Sequence, residues 1–212
     1  MTQISNWEAA LWLYAFLYLA SLGSVIWMTF MATVFGRAVR KVQIGNIIRL
    51  TARKQDPEIV IGLVPMSAYL QLKDTADGEA PKRPFGERAA SGFGQLILPL
   101  AFAAVVIGAG RVAIVFLETA KTYFVSGLSP LSGAPEVLTA FWMHLKTAPI
   151  SAIANAAIFY AFINGTFHIW ESSFRLNDDV DGSAWDKVRN TVAAIPLFFL
   201  FGWAVGLVKA FF

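Results

Sequence analysis

Arg111, Glu118 and Asn155 are the side chains whose types and spacing could build a polar site in an otherwise apolar chain. Arg111 interrupts the hydrophobic segment 95–117, and Glu118 follows seven residues later on the same helical face. Asn155 lies six residues into the next hydrophobic segment, so its expected depth matches that of Arg111. Two interpretations remain open: a polar relay or ligand-coordinating cluster, or an arginine that snorkels toward a carboxylate or a partner subunit.

His168 and Glu171 form a weaker candidate pair near the end of the third hydrophobic segment. Their i, i+3 spacing could bind a metal or move a proton. Di-iron bundles use the reverse order, Glu-x-x-His, and repeat it on a second helix, which does not occur here. His144 is the only other histidine and is expected at the opposite face, which excludes a haem held by two histidines. The sequence therefore favours an interfacial histidine beside Trp170.

Missing residue types exclude several other chemistries. The chain has no cysteine, which excludes disulfides, thiolate zinc sites and catalytic thiols. It also contains no dinucleotide-binding, phosphate-loop, zinc-protease or serine-hydrolase motif. The acidic run NDDVDG lacks the glutamate that completes a calcium loop, so a solvated turn is expected. We predict no metal, no cofactor and no enzymatic activity.

The composition is typical of a membrane protein. Hydrophobic residues make up 57% of the 212 residues and charged residues 15%, against about 45–50% and about 25% in soluble domains. The apolar residues cluster in long blocks, which excludes a disordered chain and disfavours a water-soluble enzyme. The net charge of +3 is attributed to cytoplasmic loops, and no nucleic-acid partner is predicted.

The predicted fold is an all-α integral membrane protein, a single polytopic domain with four transmembrane helices. The predicted spans are residues 7–35, 95–117, 149–170 and 191–212. A short surface helix is expected from Pro135, within the outer loop 118–148. The apolar stretch Ile59–Leu72 has only fourteen residues and contains Pro65. At about 1.5 Å per residue it is too short to cross a membrane, so an interfacial or re-entrant segment is predicted.

The distribution of Lys and Arg predicts the orientation. With four spans, loops 36–94 and 171–190 carry thirteen of these residues, and the other side carries three. A fifth span at Ile59–Leu72 would change this to nine against seven. Because positive charge concentrates on the cytoplasmic side, the two loops are expected there and both termini on the other side. A bacterial inner membrane is the predicted location.

Three pairs of small residues predict close helix packing. Each pair is spaced by four residues, which lets two helix backbones approach. The pairs are Ala20 with Ser24, Ala104 with Gly108, and Gly202 with Gly206. Together they favour a packed bundle or an assembly subunit over independent membrane anchors.

The predicted function is that of a non-catalytic subunit or scaffold in a multi-subunit inner-membrane complex, such as a secretion, conjugation or respiratory assembly. Its expected partners are membrane lipids and other integral membrane subunits. One alternative is a small oligomeric transporter or channel, which Asn155, Asn164 and Pro196 would suit. A further alternative is an enzyme acting on lipid or quinone, with His168 and Glu171 at the interface.

Overall fold

A computed structural model describes residues 3–73, 84–129, 131–167, 170 and 184–211. Six α-helices, one π-helical segment and two long strands make up the described part. In chain order they are α1 Asn6–Val34, β1 Val39–Arg53, β2 Glu58–Leu72, α2 Phe85–Ile107, α3 Ala109–Leu128, α4 Gly133–Thr147, α5 Pro149–Tyr160, the π-helical segment Ala161–Thr166 and α6 Ala184–Phe211.

The prediction of an all-α fold is wrong, because the chain contains a β-sheet. Strand β1 covers the basic stretch that follows α1, and β2 covers the apolar stretch Ile59–Leu72. Val and Ile are frequent in both strands, and such β-branched side chains pack well on a pleated surface. The extended backbone rises about 3.3 Å per residue instead of about 1.5 Å. A segment of this length can therefore run alongside much of a long helix.

Each long strand bends and pairs twice, so the sheet consists of four strand segments. Val42 lies opposite both Leu70 and Ile59, and Ile44 lies opposite both Ala68 and Ile61. The end of β1 pairs antiparallel with the start of β2, where Leu50 lies opposite Ile61. The resulting order across the sheet is 68–72, 39–46, 58–64 and 49–53. Segments 68–72 and 49–53 are therefore its two edges.

The prediction of four transmembrane helices is also wrong. Among the described residues, two helices are long and apolar enough to cross a membrane: Asn6–Val34 and Gly86–Ile107. Gly108, with φ of +86°, separates α2 from α3 and so divides the predicted second span. The apolar part of α6, Ala194–Lys209, is shorter than a span.

The predicted third span is the central helix of the bundle. Ala152, Ala154, Ala157 and Ile158 of α5 are fully buried, and α5 packs against α1, α2, α3 and α4. Helix α4 was expected on the membrane surface, but Leu145 is completely buried with Ala9 of α1. The predicted surface helix is therefore part of the bundle.

Aromatic rings fill the other half of the helical core. Tyr123 of α3 is completely buried and stacks on Trp203 of α6, with ring centroids 6.1 Å apart. Phe159, Phe162, Phe167 and Phe199 surround this pair. Burial raises the pKa of Tyr123 to about 12. Its hydroxyl therefore stays protonated and donates to the carbonyl of Pro196 at 3.1 Å.

Candidate functional site

Hydroxyl groups on one face of α1 hold the sheet against the helix. Tyr14 donates to the carbonyl of Leu63 at 2.8 Å, and Tyr18 donates to the carbonyl of Gly62. Ser21, which is buried, donates to the carbonyl of Pro65 at 3.2 Å. These positions are spaced by four and three residues, so they share one helical face. The three side chains, called here the hydroxyl ladder, bind three carbonyls within residues 62–65 of β2.

The contact lies far from the end of α1 where the sheet begins. Ser21 and Tyr14 are about 20 and 30 Å from Val34 at helical rise. Residues 62–65 meet this part of α1. Together with residues 45–48 beside them, they are called here the tip of the sheet. The opposite end, called the base, contains residues 37–41, 53–58, 72–73 and Glu87, and it adjoins the end of α1 and the start of α2.

Two glycines allow the strands to meet at the tip. A Cβ atom on Gly45, where φ is +77°, would lie 2.6 Å from the carbonyl oxygen of Gly62. A Cβ atom on Gly62 would lie 2.6 Å from the backbone nitrogen and oxygen of Asn46. These distances are shorter than side chains tolerate, so both positions require glycine.

A polar pair joins the tip to the strand residue that precedes it. Gln43 is 6% exposed, and its amide nitrogen donates to the carbonyl of Gly45 and to the side-chain oxygen of Asn46, both at 3.0 Å. The bonds tie the turn after residue 44 to the strand that precedes it. The pair therefore fixes the backbone at the point where β1 reverses direction.

The edge segment 49–53 is open on its outer side. Every residue from Ile48 to Lys54 is exposed, including Leu50 at 69%. The segment pairs with 59–62 on its inner side, and within the described residues no strand pairs with its outer side. An edge strand of this kind presents N–H and C=O groups that can bind another extended segment.

Ion pairs close the base. Arg37 donates through Nε and Nη2 to Glu87 Oε2 at 3.1 and 3.0 Å, and Glu87 is almost completely buried. Lys41 pairs with Glu58 at 3.3 Å, and Lys73 pairs with Asp56 at 2.8 Å. The Lys73 contact lowers the pKa of the Asp56 carboxyl, with a smaller contribution from Arg40. The Arg37–Glu87 pair joins the end of α1 to the first turn of α2.

The predicted polar cluster does not assemble in this structure. Arg111 and Glu118 are exposed on α3, and Asn155 is half-buried on α5. Among the described side chains, no hydrogen bond or ion pair joins any two of these three residues. His168 and Glu171 lie outside the described residues. Within the described part of the chain, no three His, Asp or Glu side chains are placed to hold a metal ion.

The small residues predicted to pack helices have different surroundings. Ser24 is buried and its hydroxyl lies 3.1 Å from that of Tyr160, while Ala20 is half-buried. Gly202 lies against Gly127 of α3, where a Cβ atom would be 2.2 Å from the Gly127 carbonyl oxygen. The remaining three are Gly206, which is buried, Ala104, which is half-buried, and Gly108, which is exposed at the break after α2.

The hydroxyl ladder and the edge segment were not identified from the sequence. Tyrosines such as Tyr14 and Tyr18, near the start of a hydrophobic segment, are typical of a membrane interface. The signal that could have indicated a contact is their spacing with Ser21, which places the three hydroxyl groups on one helical face. Comparison of the chain with protein-family models, curated protein sequences and solved structures found no match.

Proposed function

We propose that this chain is a non-catalytic membrane subunit or scaffold, anchored by α1 and α2, that binds an extended segment of another integral membrane subunit. The observation that carries the proposal is the open edge segment 49–53, because it belongs to a sheet that runs alongside a candidate membrane helix.

The exposed surface of the two candidate helices supports membrane anchoring. Only 22% of the most apolar stretch of α1 and 28% of that of α2 are buried within the chain. A core helix of a soluble protein would be mostly covered. Large hydrophobic side chains are exposed along the whole of α1: Trp7, Leu11, Trp12, Tyr14, Leu19, Leu22, Ile26, Phe30 and Val34.

The hydroxyl ladder supports a location of the tip within the bilayer. If α1 crosses the membrane, its contacts at Tyr14, Tyr18 and Ser21 place the tip about 20–30 Å from the base, inside a hydrocarbon core of about 30 Å. Backbone polar groups at that depth must be satisfied by protein. The ladder supplies such donors to three carbonyls within residues 62–65 of β2.

The need to satisfy backbone polar groups inside the membrane also supports a protein partner at the edge segment. An open strand edge at membrane depth leaves N–H and C=O groups that lipid cannot satisfy, at a cost of several kcal/mol per group. An extended segment from another subunit would pair with them. Arg49, exposed opposite Gly62, would favour a carboxylate on that segment.

Site-specific photo-crosslinking in native membranes tests the proposal. A photoreactive amino acid is placed at position 50, and the matched control carries it at position 117. Leu50 and Leu117 are 69% and 70% exposed, on the edge segment and on α3. We expect one integral membrane protein to be crosslinked from position 50 and to co-purify stoichiometrically, and we expect the crosslink to be absent from position 117.

A Leu50→Lys variant adds a quantitative measure. A lysine on an edge strand disfavours pairing with another chain, so recovery of the partner should fall at least about tenfold. Leu117→Lys should leave it unchanged. A chain that alkaline carbonate extracts from the membrane would contradict the anchoring. A chain that remains in the membrane but gives no crosslink at position 50 would contradict the scaffold function.

A further inference from the structure

The base of the sheet has an excess of positive charge. Its acidic residues all form ion pairs with basic side chains, which include the pairs Arg37–Glu87, Lys41–Glu58 and Lys73–Asp56. The base contains three further basic residues: Arg40, Arg53 and Lys54. All three are exposed, and the base therefore holds six basic residues against three acidic ones.

Arg53 and Lys54 are the clearest part of this excess. They are consecutive residues at the end of β1, and both are exposed. The Arg53 guanidinium makes a long contact of 3.4 Å with the carbonyl of Asp56, which leaves most of its donors open to solvent. No ion pair within the described residues includes the Lys54 side chain. These two cations can therefore meet an external anion.

The base lies where both candidate membrane helices end. Helix α1 ends at Val34, three residues before Arg37, and α2 begins beside the buried Glu87 that pairs with Arg37. We infer that the base binds the headgroups of anionic phospholipids in the membrane leaflet that it faces. The inference rests on the proposed anchoring by α1 and α2. The pattern of charge fits an anionic lipid surface, because Lys and Arg near such a surface are attracted to it.

Lipid binding to the full-length protein tests this inference. The protein is purified in a neutral detergent, and native mass spectrometry measures binding of phosphatidylglycerol and phosphatidylcholine with identical acyl chains. We expect tighter binding of phosphatidylglycerol. Each basic residue near an anionic surface contributes about a fivefold change in affinity. Arg53→Gln combined with Lys54→Gln should therefore weaken phosphatidylglycerol binding by up to about 25-fold.

The matched control removes two positive charges from α3, outside the base. Arg111→Gln combined with Lys121→Gln neutralises two exposed cations on α3 and should leave phosphatidylglycerol binding unchanged. Equal binding of the two lipids, or equal losses in both double variants, would overturn the inference. Displacement of the lipid by an excess of inorganic phosphate would also overturn it, because it would indicate a site for free phosphate. Carbonate extraction of each variant separates these results from a failure of the anchoring itself.

Discussion

The sheet and the aromatic cluster around Tyr123 are attached to their neighbours by different kinds of contact. The tip of the sheet is bound to α1 by hydroxyl groups that donate to backbone carbonyls. The aromatic cluster is bound by packing of rings, and its polar contacts are few: Tyr123 donates to Pro196, and Trp203 donates to Tyr123. The tip of the sheet thus depends on hydrogen-bond donors from α1, and the aromatic cluster depends on the close packing of its rings.

The difference follows from the backbone that each region must cover. Helices satisfy their own N–H and C=O groups, so α3 and α6 can meet through apolar side chains alone. The bent strands leave carbonyls at the tip that need donors from another element. The number of polar side chains in a contact therefore reflects the regularity of the backbone there. Substitutions that remove volume should damage the cluster most, and those that remove a donor should damage the tip.

The largest effect is expected from Tyr123→Ala. This substitution removes a completely buried ring that contacts six other aromatic side chains. Loss of a large buried aromatic side chain costs about 3–5 kcal/mol of unfolding free energy. Unfolding of the detergent-solubilised protein, followed by near-ultraviolet circular dichroism, measures the change.

Tyr123→Phe separates packing from hydrogen bonding at the same position. It keeps the ring and removes only the hydroxyl bond to Pro196, so a loss of about 1 kcal/mol is expected. Hydrogen exchange of residues 39–72 should be unchanged in both variants. If the two variants were equally destabilised, the cluster would not be held by packing of its rings.

A smaller effect, of about 1–3 kcal/mol, is expected from Gly62→Ala at the tip. The added Cβ would lie 2.6 Å from backbone atoms of Asn46, so the two strands must separate. Gly110→Ala is the control, because a Cβ there meets no atom within 4 Å. That control should be neutral or stabilising by up to about 1 kcal/mol, since alanine favours a helix. Faster hydrogen exchange in residues 39–72 of the Gly62 variant alone would establish the difference.

Tyr18→Phe should cost about 1 kcal/mol, because it removes one donor of the hydroxyl ladder and keeps the ring. The carbonyl of Gly62 then loses its donor from α1. Faster hydrogen exchange is expected near the tip, while the rest of the sheet stays protected. Tyr69→Phe is the control: Tyr69 is half exposed, and its hydroxyl makes no hydrogen bond among the described residues. Identical exchange in the two variants would show that the ladder does not hold the tip.

Several elements could be predicted because their signals are local. The long apolar run after Trp7 predicts a helix, and Ser5 and Glu8 complete a capping box at its start. Pro135 indicated a helix start, and α4 begins at Gly133.

The sheet and its contacts could not be predicted because they depend on residues far apart in the chain. A short run such as IVIGLV suits a buried strand or a buried helix equally, and periodicity alone cannot separate them. In β1, the strand pattern of the β-branched residues Val39, Val42 and Ile44 is interrupted by basic residues, so it does not stand out in the sequence. Contacts such as Tyr14 with Leu63 span 49 residues. The equal depths expected for Arg111 and Asn155 assumed one continuous helix, but Gly108 ends the helix that was expected to carry Arg111.

The smallest effect concerns the pH dependence of the base. Hydrogen bonding and charge attraction from Lys73 lower the pKa of Asp56 below its ordinary value of 3.8. Stabilisation by this pair is therefore complete above about pH 4 and is lost as the pH falls through the lowered pKa. Both side chains are exposed, so the effect is small and screened by salt. Thermal unfolding of the wild-type protein and of Asp56→Asn, compared across this acidic range at low salt, should converge as the pH falls. Parallel curves would show that the Lys73–Asp56 contact adds nothing to the stability of the base, in contrast to the hydroxyl ladder at the tip.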